Sequence, residues 1–217
     1  MVHVAFDFDG TLVDSRQMIF DLYNDLAAQR GYTPITMADL ADIQQLSIAD
    51  RWRALKVPIH HLPGLVIEVG RRYKAAIGQL AFYPGVPEML GELQRRGVTA
   101  HILSSNTVAN IRAFLDLHGV TAIESVHSAR TLLGKNRAIA TFMRNRKLTP
   151  KDLIYVGDEE RDIVACRAND VRVIAVSWGF EALNVLERAQ PDFLAHRTDE
   201  LLPLIVGCAP AVTAKDS

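Results

Sequence analysis

Short apolar runs alternate with longer stretches of helical periodicity over most of the 217-residue chain. The runs are rich in Val, Ile, Leu and Ala, and such near-continuous hydrophobicity is typical of strands buried on both faces of a parallel sheet. Four of them are long enough to predict strands: residues 2–8, 98–104, 152–157 and 171–177. Two shorter candidates are residues 123–126 and 192–195.

The helical stretches between these runs have recognisable ends. Pro87 stands in the first turn of a predicted helix that Gly97 closes, Gly119 closes a second helix, and a third ends before Pro150. Proline inside the first turn and glycine just past the last are the usual positions of these residues. The alternation predicts an α/β fold with a doubly wound, mostly parallel, Rossmann-like sheet and right-handed crossovers.

One interval is too long for a single crossover helix. Residues 16–81 lie between the first strand and the return of the chain to the main pattern, and they contain three or four helical patterns but no convincing strand. We therefore predict a small all-helical domain at residues 16–81, inserted into a core formed by residues 1–15 and 82–210. The last residues, 211–217, read as a flexible tail.

Composition excludes some partners. Apolar residues make up 49% of the chain and charged residues 23%, an ordinary globular balance, and the formal net charge is −1. No excess of positive charge favours nucleic acid or an anionic membrane. The two cysteines, Cys166 and Cys208, show no metal-binding spacing and favour a reducing compartment. We expect a cytoplasmic protein, monomeric or homodimeric, without a nucleic-acid or membrane partner.

Polar side chains follow the predicted strands at their carboxyl ends. Asp7 and Asp9 follow the first strand and precede Gly10 and Thr11 in a turn. In open parallel sheets, ligands bind beyond the carboxyl ends of the strands. Two carboxylates this close repel each other unless a cation or a proton intervenes, so the pair suggests a cation site.

The other strand ends carry matching chemistry. Ser105 and Asn106 follow the second long strand just before a helix, where backbone amides and a hydroxyl suit phosphate oxygens. Asp158 and Asp162 follow the strand at 152–157 and can face the same side if a helix begins between them. Lys135 lies at the start of another predicted helix.

Four carboxylates at one sheet edge require compensating positive charge. Mg²⁺ is the natural choice beside phosphate because it prefers oxygen ligands, and Lys135 adds a further charge. One carboxylate can then attack phosphorus to form an aspartyl phosphate. A neighbouring carboxylate can protonate the leaving oxygen and later deprotonate the attacking water.

Four segments carry a family resemblance. "DFDGTLVDS", "LSSN", "GKNRA" and "VGDEERD" resemble the four motifs of the haloacid dehalogenase-like (HAD) hydrolase superfamily, in its phosphoglycolate phosphatase-like branch. The resemblance covers residue 4 to about residue 180. It implies a helical cap inserted after the first motif, which closes over the site. It also implies magnesium-dependent hydrolysis of a small phosphorylated metabolite through an aspartyl-phosphate intermediate.

The resemblance also implies roles for the individual acidic residues. Asp7 would be the nucleophile and a metal ligand. Asp9 would be the general acid/base and would offer its backbone carbonyl to the metal. Asp158 would ligate Mg²⁺, and Asp162 would support the metal site directly or through water.

A second group would bind the phosphoryl group. Its members are Gly10, Thr11, Ser105, Asn106 and Lys135, of which Lys135 also counts as catalytic because it would stabilise the nucleophile and the transferred group. Ser105 is preferred over Ser104 because it directly precedes Asn106.

Other activities use the same motifs. A sugar phosphomutase, a nucleotidase and a pyrophosphatase share the first half-reaction, so the core motifs do not separate them. A dehalogenase is disfavoured because Asp9 is present. A phosphoryl-receiving signalling module is a remote alternative, since the predicted third strand ends in "ESVHSAR" without an aspartate. Gln45, in "IQQLS", stands where the phosphoglycolate phosphatase-like branch often has glycine, so we expect a differently shaped cap loop and leave the substrate open.

Overall fold

Six parallel strands form a single sheet in the computed structural model, which describes residues 2–46, 48–129 and 134–208. The strands are β1 (His3–Phe6), β2 (Thr99–Ser104), β3 (Ile123–Ser128), β4 (Leu153–Gly157), β5 (Arg172–Val176) and β6 (Phe193–Ala195). Their spatial order is β3-β2-β1-β4-β5-β6, and every neighbouring pair is parallel. The predicted α/β class and doubly wound sheet are confirmed. The predicted tail, residues 211–217, lies outside the described residues.

Ten α-helices lie in the described residues. They are α1 (Arg16–Arg30), α2 (Met37–Gln44), α3 (Ile48–Ala54), α4 (Leu62–Ala76), α5 (Val86–Arg95), α6 (Val108–Leu117), α7 (Lys135–Arg146), α8 (Glu160–Arg167), α9 (Leu183–Ala189) and α10 (Leu201–Gly207). Several begin at a polar cap: the Thr107 hydroxyl accepts from the Asn110 amide at the start of α6, and Glu159 with Asp162 forms a capping box at the start of α8. No helix in the described part of the chain is long and apolar enough to cross a membrane.

The sheet buries both of its faces. Alternate residues of β1 point to opposite sides, so that Val4 and Phe6 join one apolar cluster while Ala5 joins the other. The first cluster also contains Phe114 of α6, and the second contains Phe142 of α7. Strands covered on both faces explain why the sequence shows continuous rather than alternating apolar runs.

The segment between β1 and α5 is helical. It contains α1 to α4, and its described residues form no strand. Tyr23, Leu26, Tyr32 and Leu65 belong to an apolar cluster that is separate from the two clusters on the sheet. The treatment of residues 16–81 as an independent cap domain stays a prediction. Below, we use "cap segment" for α1 to α4 and "sheet domain" for the described residues outside 16–81, which contain the six strands.

The first strand is shorter than the apolar run that predicts it. β1 ends at Phe6, so Asp7 lies just beyond the strand, although its amide still donates to the Val156 carbonyl of β4 at 2.8 Å. The chain builds outward from β1 to β2 and β3, then crosses back to place β4 on the other side. The crossover direction therefore reverses between β1 and β4, the position at which open α/β sheets bind ligands.

Candidate active site

Three carboxylates meet at this reversal point. Asp7, after β1, and Asp158 and Asp162, after β4, each present one oxygen, and the three oxygens lie within 4.8 Å of one another. All three side chains are buried. Carboxylates cannot stay ionised at this spacing without compensating positive charge. The convergence predicted from the strand ends is therefore present in the structure.

Lys135 supplies part of that charge. Its ammonium donates to Asp7 Oδ2 at 2.5 Å and to Asp162 Oδ1, and the side chain is only 2% exposed. Burial opposes its protonated form, yet the two carboxylates raise the pKa of Lys135 above its usual value. The amino end of α7 thus delivers a cation to Asp7, for which the family resemblance implies the role of nucleophile.

The two aspartates of the first loop have opposite pKa shifts. Burial raises the pKa of Asp7, but Lys135 and Arg161 outweigh it, so the pKa lies below its ordinary value. Burial raises the pKa of Asp9 to about 6, and the negative charge of Asp7 adds to that shift. Asp7 is consequently ionised at neutral pH, whereas Asp9 can hold a proton close to neutrality. Two carboxylates in one site with separated pKa values can divide the roles of nucleophile and acid.

Asp9 does not belong to the three-carboxylate cluster and has its own hydrogen-bond partners. Its Oδ1 accepts from the Tyr73 hydroxyl of α4 at 2.8 Å, and its Oδ2 accepts from the side-chain amide of Asn106 at 2.8 Å. The predicted contact of its backbone carbonyl with a metal stays a prediction.

Asp158 is fixed from both sides. The Thr11 hydroxyl donates to its Oδ1 at 2.8 Å, and the Phe180 amide donates to its Oδ2 at 2.8 Å. Gly10 has φ of +76°, and a Cβ there would overlap the Asp158 carboxylate. Only glycine therefore lets this loop pass so close to Asp158.

The pKa values of Asp158 and Asp162 are both raised. Burial is the main cause, and the nearby negative charges of Glu159 and Asp7 add to it; Asp158 lies well above its usual range and Asp162 at about 6. Excess negative charge on hard oxygen donors is the property of a divalent-cation site. The donor set Asp7, Asp158 and Asp162 thus fits a divalent cation, which would stabilise the ionised forms.

The two serines at the carboxyl end of β2, Ser104 as its last residue and Ser105 just after it, take different positions. Ser104 is buried, its hydroxyl accepts from the Asn106 backbone amide at 3.2 Å, and its side chain helps to lower the pKa of Asp7. Ser105 is half-buried and its hydroxyl accepts from Arg161 at 3.4 Å. Of the predicted phosphate-binding residues, Thr11 reaches Asp158 and Asn106 reaches Asp9. The assignment of Ser105 to the phosphoryl group stays a prediction. Ser104 is the serine that lies beside Asp7.

Sequence reasoning missed three further side chains of the site: Arg161, Glu159 and Tyr73. Arg161 lies within the quoted "VGDEERD" segment, and Glu159 holds it through an Nε to Oε2 contact of 2.5 Å. Its charge acts on Asp7, Asp162 and Lys135. The sequence did carry a signal for Arg161, because this basic residue stands inside the otherwise acidic segment "VGDEERD". Tyr73 offered no comparable signal, because only the tertiary structure brings α4 to Asp9.

Such a site, at the reversal point of a parallel sheet with a helical segment inserted after its first loop, defines a hydrolase that works on anionic esters. The family of haloacid dehalogenase-like hydrolases matches residues 4–176, and the chain belongs to this family. The resemblance seen in the sequence is thereby confirmed.

Two relatives agree with that assignment, and one solved structure shows the same fold. The chain is 35% identical over 206 residues to a phosphoglycolate phosphatase of Synechococcus elongatus, covering 94% of this chain and 97% of the relative. It is 32% identical to a phosphoglycolate phosphatase of Xylella fastidiosa, covering 82% of this chain and 81% of the relative. In fold it is similar to a crystal structure described as a predicted phosphatase from Clostridium acetobutylicum, with a TM-score of 0.81, 19% identity and coverage of 95% and 98% of the two chains. The family and these relatives support a phosphatase enzyme.

Proposed function

We propose that the protein is a magnesium-dependent phosphatase that hydrolyses a small phosphomonoester through an aspartyl phosphate on Asp7, with phosphoglycolate as the first substrate to test. The observation that carries the proposal is the division of labour between Asp7 and Asp9. Asp7 is buried, ionised and bonded to the Lys135 ammonium, while Asp9 has a pKa of about 6 and separate partners.

The first half-reaction uses these two residues in turn. An Asp7 carboxylate oxygen attacks phosphorus, the phosphorus–oxygen ester bond breaks, and the Asp9 carboxyl gives its proton to the departing oxygen. In the second half-reaction Asp9, now ionised, takes a proton from water as the water oxygen attacks the aspartyl phosphate. Inorganic phosphate then leaves, and Asp7 and Asp9 are restored.

Positive charge stabilises the phosphoryl oxygens in both steps. Lys135 is already placed beside Asp7, and preorganised charge of this kind is a large source of catalysis. Mg²⁺ held by Asp7, Asp158 and Asp162 would neutralise further charge on the phosphoryl group. Ser105 and the loop at Gly10 would contact its oxygens.

The cap segment is proposed to select the leaving group. Arg51 of α3 donates at 3.0 Å to the carbonyls of Gln44 and Leu46, on either side of Gln45, and at 3.0 Å to Glu181 of the sheet domain. The loop in which Gln45 departs from the expected glycine is therefore fastened, through Arg51, to Glu181, which also accepts from the Glu160 amide at the start of α8. Phosphoglycolate is the first candidate because both curated relatives named above are phosphoglycolate phosphatases.

The test is phosphate release from a panel of esters, with Mg²⁺ and with a chelator. The panel contains phosphoglycolate, sugar phosphates, nucleoside monophosphates, pyrophosphate and 4-nitrophenyl phosphate. We expect Mg²⁺-dependent release, fastest from phosphoglycolate. Fastest release from a nucleotide or from pyrophosphate would agree with the proposed mechanism but would contradict phosphoglycolate as the substrate. Conversion of a sugar phosphate to its isomer without release would replace hydrolysis by phosphomutase activity.

A further inference from the structure

A tyrosine of the cap segment touches the proposed acid/base. Tyr73 lies in the last turn of α4, and its hydroxyl donates to Asp9 Oδ1 at 2.8 Å. The side chain is only 2% exposed, so water does not compete for this hydrogen bond. The two residues are 64 positions apart, and the contact depends on how α4 packs on the sheet domain.

The ring of Tyr73 is held by the sheet domain rather than by its own segment. It belongs to the apolar cluster that contains Phe8, Leu12 and Phe114, whereas Tyr23 belongs to the separate cluster of the cap segment. Packing of this kind leaves a ring little rotational freedom. The hydroxyl therefore has a fixed position relative to the loop that carries Asp9.

A second contact ties the same end of α4 to the same site. The side-chain amide of Asn110, on α6, donates to the Gly70 carbonyl at 3.2 Å and to Asn106 Oδ1 at 3.1 Å. Asn106 in turn donates to Asp9 Oδ2 at 2.8 Å. Each carboxylate oxygen of Asp9 thus has one donor: Tyr73 lies on α4 itself, and Asn106 is linked to α4 through the Asn110 side chain.

We propose that Tyr73 is a positioning residue, which orients the Asp9 carboxyl for proton transfer to the leaving oxygen only when α4 is seated on the sheet domain. The inference rests on the proposed function, because it assigns Asp9 as the acid. It goes further by making a specific hydroxyl of the cap segment part of the proton-transfer geometry. Packing of α4 on the sheet domain then orients the Asp9 carboxyl for proton transfer at the same time.

The distinguishing measurement is the dependence of kcat/KM on the leaving group. Phenyl phosphate and 4-nitrophenyl phosphate have nearly the same shape, but phenolate leaves less readily and needs its proton more. In Tyr73→Phe we expect kcat/KM for phenyl phosphate to fall about 10-fold or more, within the ~10²–10⁴-fold that general acid–base catalysis contributes. For 4-nitrophenyl phosphate we expect a fall of less than about 3-fold, because that leaving group depends little on the acid.

The matched control is Tyr23→Phe. Tyr23 is also a buried tyrosine of the cap segment, and its hydroxyl donates to the Thr33 carbonyl at 2.6 Å, away from Asp9. We expect this variant to keep the wild-type ratio between the two esters. The ratio within one preparation does not depend on the fraction of folded enzyme, so partial unfolding of Tyr73→Phe does not obscure the result.

A double variant shows whether Tyr73 acts through Asp9. In Asp9→Asn the acid is already lost, so adding Tyr73→Phe should change the phenyl phosphate rate by less than about 2-fold, as expected for residues that act as one unit. Equal losses on both esters in Tyr73→Phe, or independent losses in the double variant, would overturn the inference and leave Tyr73 a structural contact. Absence of Mg²⁺-dependent hydrolysis in the wild type would instead overturn the proposed function.

Discussion

Lys135 is the residue on which the electrostatics of the site depend. A lysine that is 2% exposed is costly to bury unless its charge is paired, and here it is paired twice, with Asp7 and Asp162. The same ammonium keeps Asp7 ionised in an environment that would otherwise favour its neutral form. Structure and reactivity therefore rest on one side chain.

Lys135→Met should lower kcat/KM by on the order of 10²–10³-fold, the loss typical of removing one preorganised donor. It should also lower the thermal midpoint of the metal-free protein, because Asp7 and Asp162 would remain buried without their cation. Steady-state phosphate release and a thermal melt measure the two effects. Lys151→Met, at an exposed lysine before β4, is the control. A loss of less than tenfold in folded Lys135→Met would reduce Lys135 to a structural role.

The site was predictable where it depends on strand ends. Asp7, Asp158 and Asp162 could be placed together because the carboxyl ends of parallel strands meet at one edge. Tyr73 could not, since no periodicity or spacing indicates which residue of a helix packs against a loop 64 positions away. The orientation of Ser104 toward Asp7 also escaped, because it depends on where β2 ends.

At the scale of elements, α3 is fastened to the sheet domain by one ion pair. Arg51 Nη2 lies 3.0 Å from Glu181 Oε1, and the two side chains are 16% and 2% exposed. Glu181 also accepts from the Glu160 amide at the start of α8. The pair therefore connects the cap loop at residues 44–46 with the helix that follows the acidic cluster.

Arg51→Ala should change the preference among substrates more than it changes the rate of phosphate ester hydrolysis itself. We expect kcat/KM for the best natural ester to fall by about 10-fold or more, because Arg51 holds the loop at residues 44–46 that is proposed to select the leaving group, and each hydrogen bond of a charged group is worth about 1.5–3 kcal/mol. The small ester 4-nitrophenyl phosphate should lose much less. Arg53→Ala is the control, because Arg53 is 79% exposed and pairs with Asp50. Equal losses on both substrates would show that Arg51 only holds the cap segment together.

All six predicted strands are present in the sheet, because their apolar runs are buried on both faces and their turns carry clear signals. Their ends are less predictable. The run at residues 2–8 reads as one strand, but ladder pairing stops at Phe6 because the chain turns to present Asp7. Spatial order could not be read from the sequence, since it depends on which strands find partners across long intervals.

At the scale of the whole molecule, a hydrogen-bonded chain of three histidines, of which His101 is fully buried and His3 and His127 are half-buried, crosses three strands. His3 Nδ1 lies 2.9 Å from His101 Nε2, His101 Nδ1 lies 2.8 Å from the Ser125 hydroxyl, and Ser125 lies 2.9 Å from His127 Nε2. Burial is the main reason that the pKa of His101 is lowered to about 3, with the charge of Arg146 adding to it. Burial also lowers the pKa values of His3 and His127.

This histidine chain makes the fold sensitive to acid. Above pH ~6.5 the histidines are neutral in both folded and unfolded states, so their contribution is fully present. Below it the unfolded chain binds protons that folded His101 refuses until about pH 3, so stability falls as the pH falls through this window. His101→Gln should flatten the decrease in thermal midpoint between pH 6.5 and 4, while His60→Gln, at an exposed position, should leave it unchanged. An unaltered acid profile in His101→Gln would contradict this account.

The central claim is that Asp7 carries the phosphoryl group, and it is tested by quenching the enzyme during turnover of a radiolabelled phosphomonoester with Mg²⁺. We predict acid-stable, hydroxylamine-sensitive label on the wild-type protein. We predict none on Asp7→Asn, which should stay folded while losing turnover, because an amide is a far poorer nucleophile toward phosphorus. Label of the same amount on folded Asp7→Asn, or turnover near the wild-type rate by that variant, would contradict the assignment of Asp7 as the nucleophile.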